Sequence, residues 1–144
     1  MIENDTVKLL RECDAGIKMG VAAIDNVIEN VRNDNFSGLL RDSRKEHEKL
    51  LGEVGTLLCR YHGSNKEPSP VAKGMSQVKT SMRMMMNDSD NTVADLITDG
   101  CNMGVKSLHR YLNMYRAANE KSRDIAKRLI NIEERLTLDI RAYL

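Results

Sequence analysis

The sequence predicts an all-α fold, a bundle of four long helices, on three observations. The chain has 144 residues, a length that suits one domain, which we expect to span 1–144. Aromatic residues make up only 3% of the chain, whereas strands favour aromatic and β-branched residues. Apolar residues recur at steps of three and four along four separate stretches, which is the spacing of amphipathic helices.

The first predicted helix begins near residue 6, where Asp5 or Thr6 can cap it. Asp14 is the one polar residue in an otherwise apolar inward-facing seam, and the polar stretch 33–35 breaks the helix. The seam comprises Leu10, Asp14, Ile17, Val21, Ile24, Ile28 and Val31.

The second predicted helix completes a hairpin over about 6–62. It ends at His62, and the following Gly63 suits a left-handed cap. Its inward residues are Phe36, Leu40, Ser43, His47, Leu50, Val54, Leu57 and Tyr61.

The second hairpin is predicted over about 91–144. Its two helices run from about Asn91 to Tyr115 and from about Glu120 to the end. Each of the four helices has about 25 residues, which corresponds to about 37 Å. The inward residues of this hairpin are Ile97, Cys101, Val105, Leu108, Leu112, Tyr115, Ile125, Leu129, Ile132, Leu136, Ile140 and Tyr143.

A long crossover, 63–90, joins the two hairpins. Pro70 suits the first turn of a short helix, which we expect at 71–86. A long crossover between two helical hairpins is the ferritin-like, up-down-down-up arrangement. The predicted crossover helix carries four methionines, so we expect it to form an apolar lid over the bundle and a contact surface for a homodimer. The four methionines are Met82, Met84, Met85 and Met86.

Two segments of the first hairpin recur in the second. GIKMGV (16–21) matches GCNMGV (100–105) at four of six positions with an offset of 84 (104 − 20). HEKLLGEV (47–54) aligns with EERLTLDI (133–140) at an offset of 86 (133 − 47). The pattern predicts an internal duplication of helical hairpins, and chance similarity between amphipathic helices is the alternative.

The chain also resembles a known family. The pattern GxKM…RKEHEKL…EPSPVAKGMS…MMM…DLITDGCNMGVKSL…RLINIEERL…YL is similar to a bacterial group of the ferritin-like superfamily whose activity is not settled. The resemblance covers Leu9 to Leu144, and Asp99–Val105 is its most specific piece. It implies a ferritin-like bundle and no particular activity.

The di-iron motif of such bundles is absent from the sequence. Those sites use Glu-x-x-His pairs, because this spacing puts both ligands on one helical face. The residues three positions before the three histidines are Arg44, Cys59 and Lys106. A guanidinium cannot ligate iron, so the sequence argues against a normal ferroxidase or oxygenase site.

Polar residues are nevertheless predicted near the middle of the bundle. His47 lies in the seam of the second helix, and its repeat partner is Glu133 in the fourth. In antiparallel hairpins His47 is level with Gly20, and Glu133 is level with Gly104. A glycine inside a helix costs about 1 kcal/mol relative to alanine, so two at equivalent places suggest a packing reason.

Three interpretations of this layer stay open. His47 and Glu133 bond to each other or to water where two helices approach closely. Alternatively, they hold a single Fe, Mn or Zn ion together with a further carboxylate, Asp14 or Asp99. In the third interpretation the seam is slightly rotated and both side chains are solvated.

Composition narrows the class of protein. The net charge is +1 and there is no basic run, so we expect no nucleic-acid or anionic-membrane partner. The start MIENDTVKLL lacks the basic and apolar regions of a signal peptide, and no apolar run approaches 18 residues. Three scattered cysteines indicate reduced thiols and a cytoplasmic location; Cys59 with His62 is only a weak zinc signal.

The sequence therefore predicts a non-catalytic structural or interaction module, with no catalytic residue and no cofactor assigned. The alternative is a metal-binding protein or oxidoreductase with an atypical site around His47 and Glu133. A third hypothesis is a small-molecule pocket near Gly20 and Gly104.

Overall fold

The computed structural model describes residues 4–62 and 89–144. Over these residues the chain forms four α-helices and no strand, which confirms the prediction of an all-α, four-helix bundle. The crossover helix predicted at 71–86, with its methionines, and the cap at Gly63 lie outside the described residues. The helices are α1 (Asp5–Val27), α2 (Asp34–His62), α3 (Asp90–Met114) and α4 (Glu120–Ile140), with short 3-10 turns at Ile28–Asn30 and Arg141–Tyr143.

None of the helices described is both long enough and apolar enough to cross a membrane.

The start of α1 differs from the predicted one. Asn4 is the cap, because its backbone is extended and its side chain accepts a 2.9 Å hydrogen bond from the Val7 N–H. Asp5 and Thr6, the predicted caps, already belong to the helix.

The connection between α1 and α2 also differs in detail. The α-helix ends at Val27, before the predicted break, and α2 starts at Asp34 inside it. Asn33 caps α2, since its Oδ1 accepts a 3.0 Å hydrogen bond from the Phe36 N–H. The polar stretch is therefore a helix start rather than a helix end.

Each hairpin connection is held by the first turn of the other hairpin. Asp90, the first residue of α3, accepts hydrogen bonds of 2.9 Å from the backbone N–H groups of Arg32 and Asn33. The first turn of α1 holds the α3–α4 connection through two further 2.9 Å bonds. These bonds run from Ala117 N–H to Asp5 Oδ2 and from Asn119 N–H to Thr6 Oγ1.

The core consists of two clusters, and each cluster draws on all four helices. Helix α1 packs against α2, α3 and α4, and α4 also packs against α2 and α3. The first cluster is centred on Leu10, Val54, Leu108 and Leu129. The second is centred on Ile24, Phe36, Ile97 and Leu136. Along α2 and α4, His47 and Glu133 fall between the two clusters, so a polar layer divides the apolar core.

Tyr61 is a correction to the predicted seam. It was expected to face inward, but 41% of its surface is exposed. It lies in the last turn of α2, where its hydroxyl accepts a 3.1 Å hydrogen bond from the Asn119 side chain. At this end of the bundle the tyrosine bonds to the loop instead of entering the core.

Candidate functional site: a pocket between α1 and α3

A pocket of about 240 Å³ lies between α1 and α3. His47 from α2 and Glu133 from α4 line its buried side, since they are 1% and 6% exposed. Met103 also lines the pocket and is 49% exposed, so the pocket reaches the surface. The walls from α1 and α3 include Gly16, Met19, Gly20, Ala23, Gly100, Met103, Gly104 and Ser107.

The two walls come from matching positions of the two similar segments, 16–21 and 100–105, and their neighbours. Four wall residues of α1 correspond to four of α3 at an offset of 84 (for example 104 − 20). His47 and Glu133 are likewise equivalent at an offset of 86 (133 − 47). The pairs in the walls are Gly16 with Gly100, Met19 with Met103, Gly20 with Gly104 and Ala23 with Ser107.

The two central glycines lie directly against the two polar side chains. A methyl group at Gly20 would sit 2.8 Å from His47 Nε2 and 2.9 Å from its Cδ2. At Gly104 a methyl group would overlap Glu133 Oε2 and would sit 3.0 Å from Cδ. These approaches give the packing reason for placing glycine, at a cost in helix propensity, in the middle of both helices.

His47 is held in one orientation by its own helix. Its Nδ1 is 2.7 Å from the carbonyl oxygen of Ser43, one turn earlier. A carbonyl oxygen can only accept, so Nδ1 carries the hydrogen and donates it. Among the described residues Nε2 has no hydrogen-bond partner, and it lies 3.9 Å from Glu133 Oε1. That separation exceeds a hydrogen bond, so the two groups face each other without direct bonding.

The further carboxylates proposed from sequence do not join this pair. Asp14 is buried but forms a 2.9 Å ion pair with Lys18 and does not line the pocket. Asp99 is exposed on α3. Within residues 4–62 and 89–144, no three His, Cys, Asp or Glu side chains are grouped as a metal site. Asp99 therefore lies away from the pocket, on the exposed face of α3.

Arg44, in place of the missing motif carboxylate, has a structural role. Its guanidinium donates hydrogen bonds of 2.6 and 3.1 Å to the Asp25 carboxylate on α1. It also pairs with Glu48 one turn further along α2. Arg44 thus stabilises the α1–α2 contact on the outside of the bundle.

None of the three cysteines, which all lie in the described part of the chain, forms a disulfide. Cys13 and Cys101 are buried, and Cys59 is exposed. Burial, assisted by the neighbouring carboxylates of Glu12 and Asp14, raises the pKa of the Cys13 thiol to about 12. Only Cys59 therefore has the exposure that thiol chemistry requires, and the His62 side chain is outside the described part of the chain.

Two polar residues of the pocket were missed by sequence reasoning. Glu12 and Tyr111 line it from α1 and α3, and the Glu12 carboxylate lies near the Tyr111 phenol. Burial, followed by the charge of the nearby Glu12 carboxylate, raises the pKa of the Tyr111 phenol. No local pattern marks this pair, because the contact depends on which helices are neighbours.

The paired glycines Gly16 and Gly100 were visible in the repeat but were not assigned to a site. A signal existed, because glycines four residues apart lie on one face of a helix, and this spacing occurs in both α1 and α3. The repeated Gly-x-x-x-Gly spacing could have identified these two helix faces as the pocket walls.

Comparisons with protein-family models, with curated proteins and with solved structures give no significant match.

Proposed function

We propose that this protein is a non-catalytic binding module whose binding site is the pocket between α1 and α3. One observation carries the proposal. A pocket of about 240 Å³ has a largely apolar wall and, at its buried side, an oriented histidine nitrogen facing a carboxylate. Ligand sites commonly combine an apolar surface with a few placed polar groups.

Size limits the class of ligand. A cavity of about 150 Å³ is enough for benzene, so the pocket suits a molecule of roughly eight to ten non-hydrogen atoms. Such a ligand is smaller than the drug-sized molecules that occupy pockets of about 300–1,000 Å³. A macromolecular chain would be too large to enter, which favours a small molecule as the direct ligand.

A ferritin-like arrangement of the helices is part of the proposal. Cross-helix bonds at matching levels support antiparallel neighbours throughout the bundle. Arg44 bonds to Asp25 between α2 and α1, and Arg128 bonds to Glu53 between α4 and α2. Asp90 bonds to Arg32 between α3 and the end of α1. Antiparallel neighbours with parallel diagonals are what an up-down-down-up bundle requires.

The binding proposal is tested by NMR of protein labelled at the methionine methyl groups. The probes are 1-hexanol, 1-hexylamine and hexanoate, which share one chain and differ in charge. At least one probe is expected to shift the Met19 and Met103 signals in a saturable manner. Met114, which is 57% exposed and outside the pocket, is the internal control. If no probe moves Met19 and Met103 more than Met114, the proposal is wrong.

Metal binding is the second candidate function, and the His47–Glu133 pair favours it. Imidazole nitrogen and carboxylate oxygen bind zinc at about 2.0–2.2 Å, so one ion fits between atoms 3.9 Å apart. Two protein ligands would leave the remaining positions to water or substrate. Elemental analysis of protein purified without chelator tests this candidate. Stoichiometric Fe, Mn or Zn that disappears in His47→Ala would support it, and metal-free protein would contradict it.

A homodimer formed through the methionine-rich segment predicted as a helix at 71–86, and a cytoplasmic location, also remain proposals. The exposed free thiol of Cys59 supports a reducing compartment. Sedimentation equilibrium of the full chain tests the dimer; a concentration-independent monomer mass contradicts it.

A further inference from the structure

The pocket has an electronegative lining. Two carboxylates line it, Glu133 at the buried side and Glu12 toward α1, and no lysine or arginine of the described chain does so. An electronegative cavity with low-dielectric walls attracts cations and repels anions. The remaining wall is mainly aliphatic and thioether surface, including Ile97 and Leu129.

The hydrogen-bond chemistry of the buried side indicates which chemical group of a ligand suits His47 Nε2 and the nearby Glu133 carboxylate. Nδ1 of His47 donates to the Ser43 carbonyl, so in the neutral ring Nε2 is an acceptor. The carboxylate of Glu133 is also an acceptor, and its Oε1 lies 3.9 Å from Nε2. Two acceptors cannot bond to each other. A group that carries a positive charge and several hydrogens can bond to both.

We propose that the pocket binds a small aliphatic amine in its protonated form, with the ammonium group between His47 Nε2 and the Glu133 carboxylate. This inference rests on the proposed binding function. An ammonium nitrogen placed about 2.9 Å from each of the two atoms makes charge-assisted hydrogen bonds to both. The aliphatic chain lies along the wall formed by Gly16, Met19 and Leu129, where its apolar surface leaves water.

The two central glycines make this geometry available. Without a Cβ at Gly20 and Gly104, the imidazole edge and the carboxylate lie against the helix backbones, which leaves the pocket volume for the ligand. A water molecule could also donate a hydrogen bond to His47 Nε2, and a doubly protonated His47 could itself donate to Glu133. Neither the water molecule nor the protonated histidine would make the pocket prefer an amine over other ligands. Comparing the affinities of ligands that share one chain and differ in charge therefore distinguishes these two cases from a bound ammonium ion.

The test compares 1-hexylamine with 1-hexanol and hexanoate by calorimetry at pH 7.5, where an alkylamine is protonated. The amine is expected to bind at least about tenfold more tightly than the alcohol, because hydrogen bonds to charged groups are the stronger ones. Hexanoate is expected to bind more weakly than either. Equal affinity of amine and alcohol, or preferred binding of hexanoate, overturns the ammonium inference alone. Absence of binding by all three overturns the binding function itself.

Two variants complete the test. Glu133→Gln preserves the side-chain size and removes the charge, so it is expected to lose the amine preference while still binding 1-hexanol. Retained hexanol binding demonstrates an intact pocket. Gly52→Ala, on α2 and outside the pocket with open space around it, is the control and is expected to keep the preference. An amine preference that persists in Glu133→Gln contradicts the assignment.

Discussion

Gly104 shows how a single missing methyl group positions a polar side chain. Its backbone is in contact with the Glu133 carboxylate, and Gly20 stands in the same relation to the His47 ring. The His47 ring is also held by its contact with the Ser43 carbonyl oxygen on its own helix. Both glycines are therefore required by neighbours on other helices rather than by helix geometry.

Replacing Gly104 by alanine is expected to stabilise the fold less than the same replacement at another helical glycine. Gly52→Ala should raise the free energy of unfolding by up to about 1 kcal/mol, because alanine is the better helix former and nothing lies within 4 Å. In Gly104→Ala this gain is offset, since the Glu133 carboxylate must be displaced. Urea unfolding of both variants measures the difference. Equal gains would show that the carboxylate moves at no cost.

Thiol reactivity is predicted to separate the three cysteines. At pH 8 only the exposed Cys59 should react rapidly with Ellman's reagent, because the raised pKa of Cys13 keeps that buried thiol protonated. Cys59→Ser should therefore remove the fast phase. A fast phase that persists in this variant would mean that Cys13 or Cys101 is accessible.

The raised pKa of the Cys13 thiol also affects the stability of the fold at high pH. The folded pKa of Cys13, about 12, lies above the ordinary value of 9.0. The contribution of the Cys13 thiol to the free energy of unfolding is therefore unchanged below pH 9. It is lost progressively between pH 9 and 12, where the thiol ionises in the unfolded chain but not in the folded one.

At the scale of elements, the caps determine where the helices start. Asn119 caps α4 by accepting a 2.9 Å hydrogen bond from the Ser122 N–H, and its amide also donates to the Tyr61 hydroxyl. One side chain thus fixes the start of α4 and contacts the end of α2.

Removing this cap is expected to be costly. Asn119→Ala should lower the free energy of unfolding by about 1 kcal/mol or more, in the upper part of the range for caps, because two bonds are lost. Asn119→Asp keeps the capping oxygen and loses the donor to Tyr61, so it should fall between the alanine variant and the natural chain. Chemical unfolding of the three proteins checks the order. An aspartate variant as unstable as alanine would assign the effect to Tyr61 rather than to the cap.

The four long helices were predictable from sequence, including the start of α4 at Glu120, but the starts of α1 and α2 were not. Apolar spacing depends on burial over many turns, so it survives local exceptions such as Asp14. A helix start depends on which of several adjacent polar residues adopts the extended backbone. Asn4 does so, while Asp5 and Thr6 bond to the α3–α4 connection far away in sequence. Such long-range competition leaves no trace in local sequence.

The candidate site was also predictable only in part: contacts within one hairpin could be predicted from sequence, and contacts between the hairpins could not. Helical register within each hairpin places His47 level with Gly20 and Glu133 level with Gly104, because those pairs are local to one hairpin. Glu12 and Tyr111 approach each other between the hairpins. Their contact depends on how the hairpins pack, and sequence spacing says nothing about that packing.

For the whole molecule, both core clusters contain residues from both hairpins, so neither hairpin has a core of its own. We expect a single cooperative unfolding transition. Leu50→Ala in the first cluster and Leu136→Ala in the second should each cost about 2–5 kcal/mol and move that one transition. Circular dichroism and tyrosine fluorescence should report the same midpoint.

The exposed Leu138 provides the matched control. It is 57% exposed, and Leu138→Ala should change the free energy of unfolding by no more than about 0.5 kcal/mol. Two separated transitions in either core variant would instead indicate hairpins that unfold independently.

The bonds at the two ends of the bundle have a consequence for how the hairpins recognise each other. Asp90 holds the connection of the first hairpin, and Asp5 with Thr6 holds that of the second. This reciprocity is the relation between subunits of a twofold dimer. Two separately synthesised hairpins should therefore reassemble in a one-to-one complex, because the first helical turn of each hairpin bonds to the connection of the other.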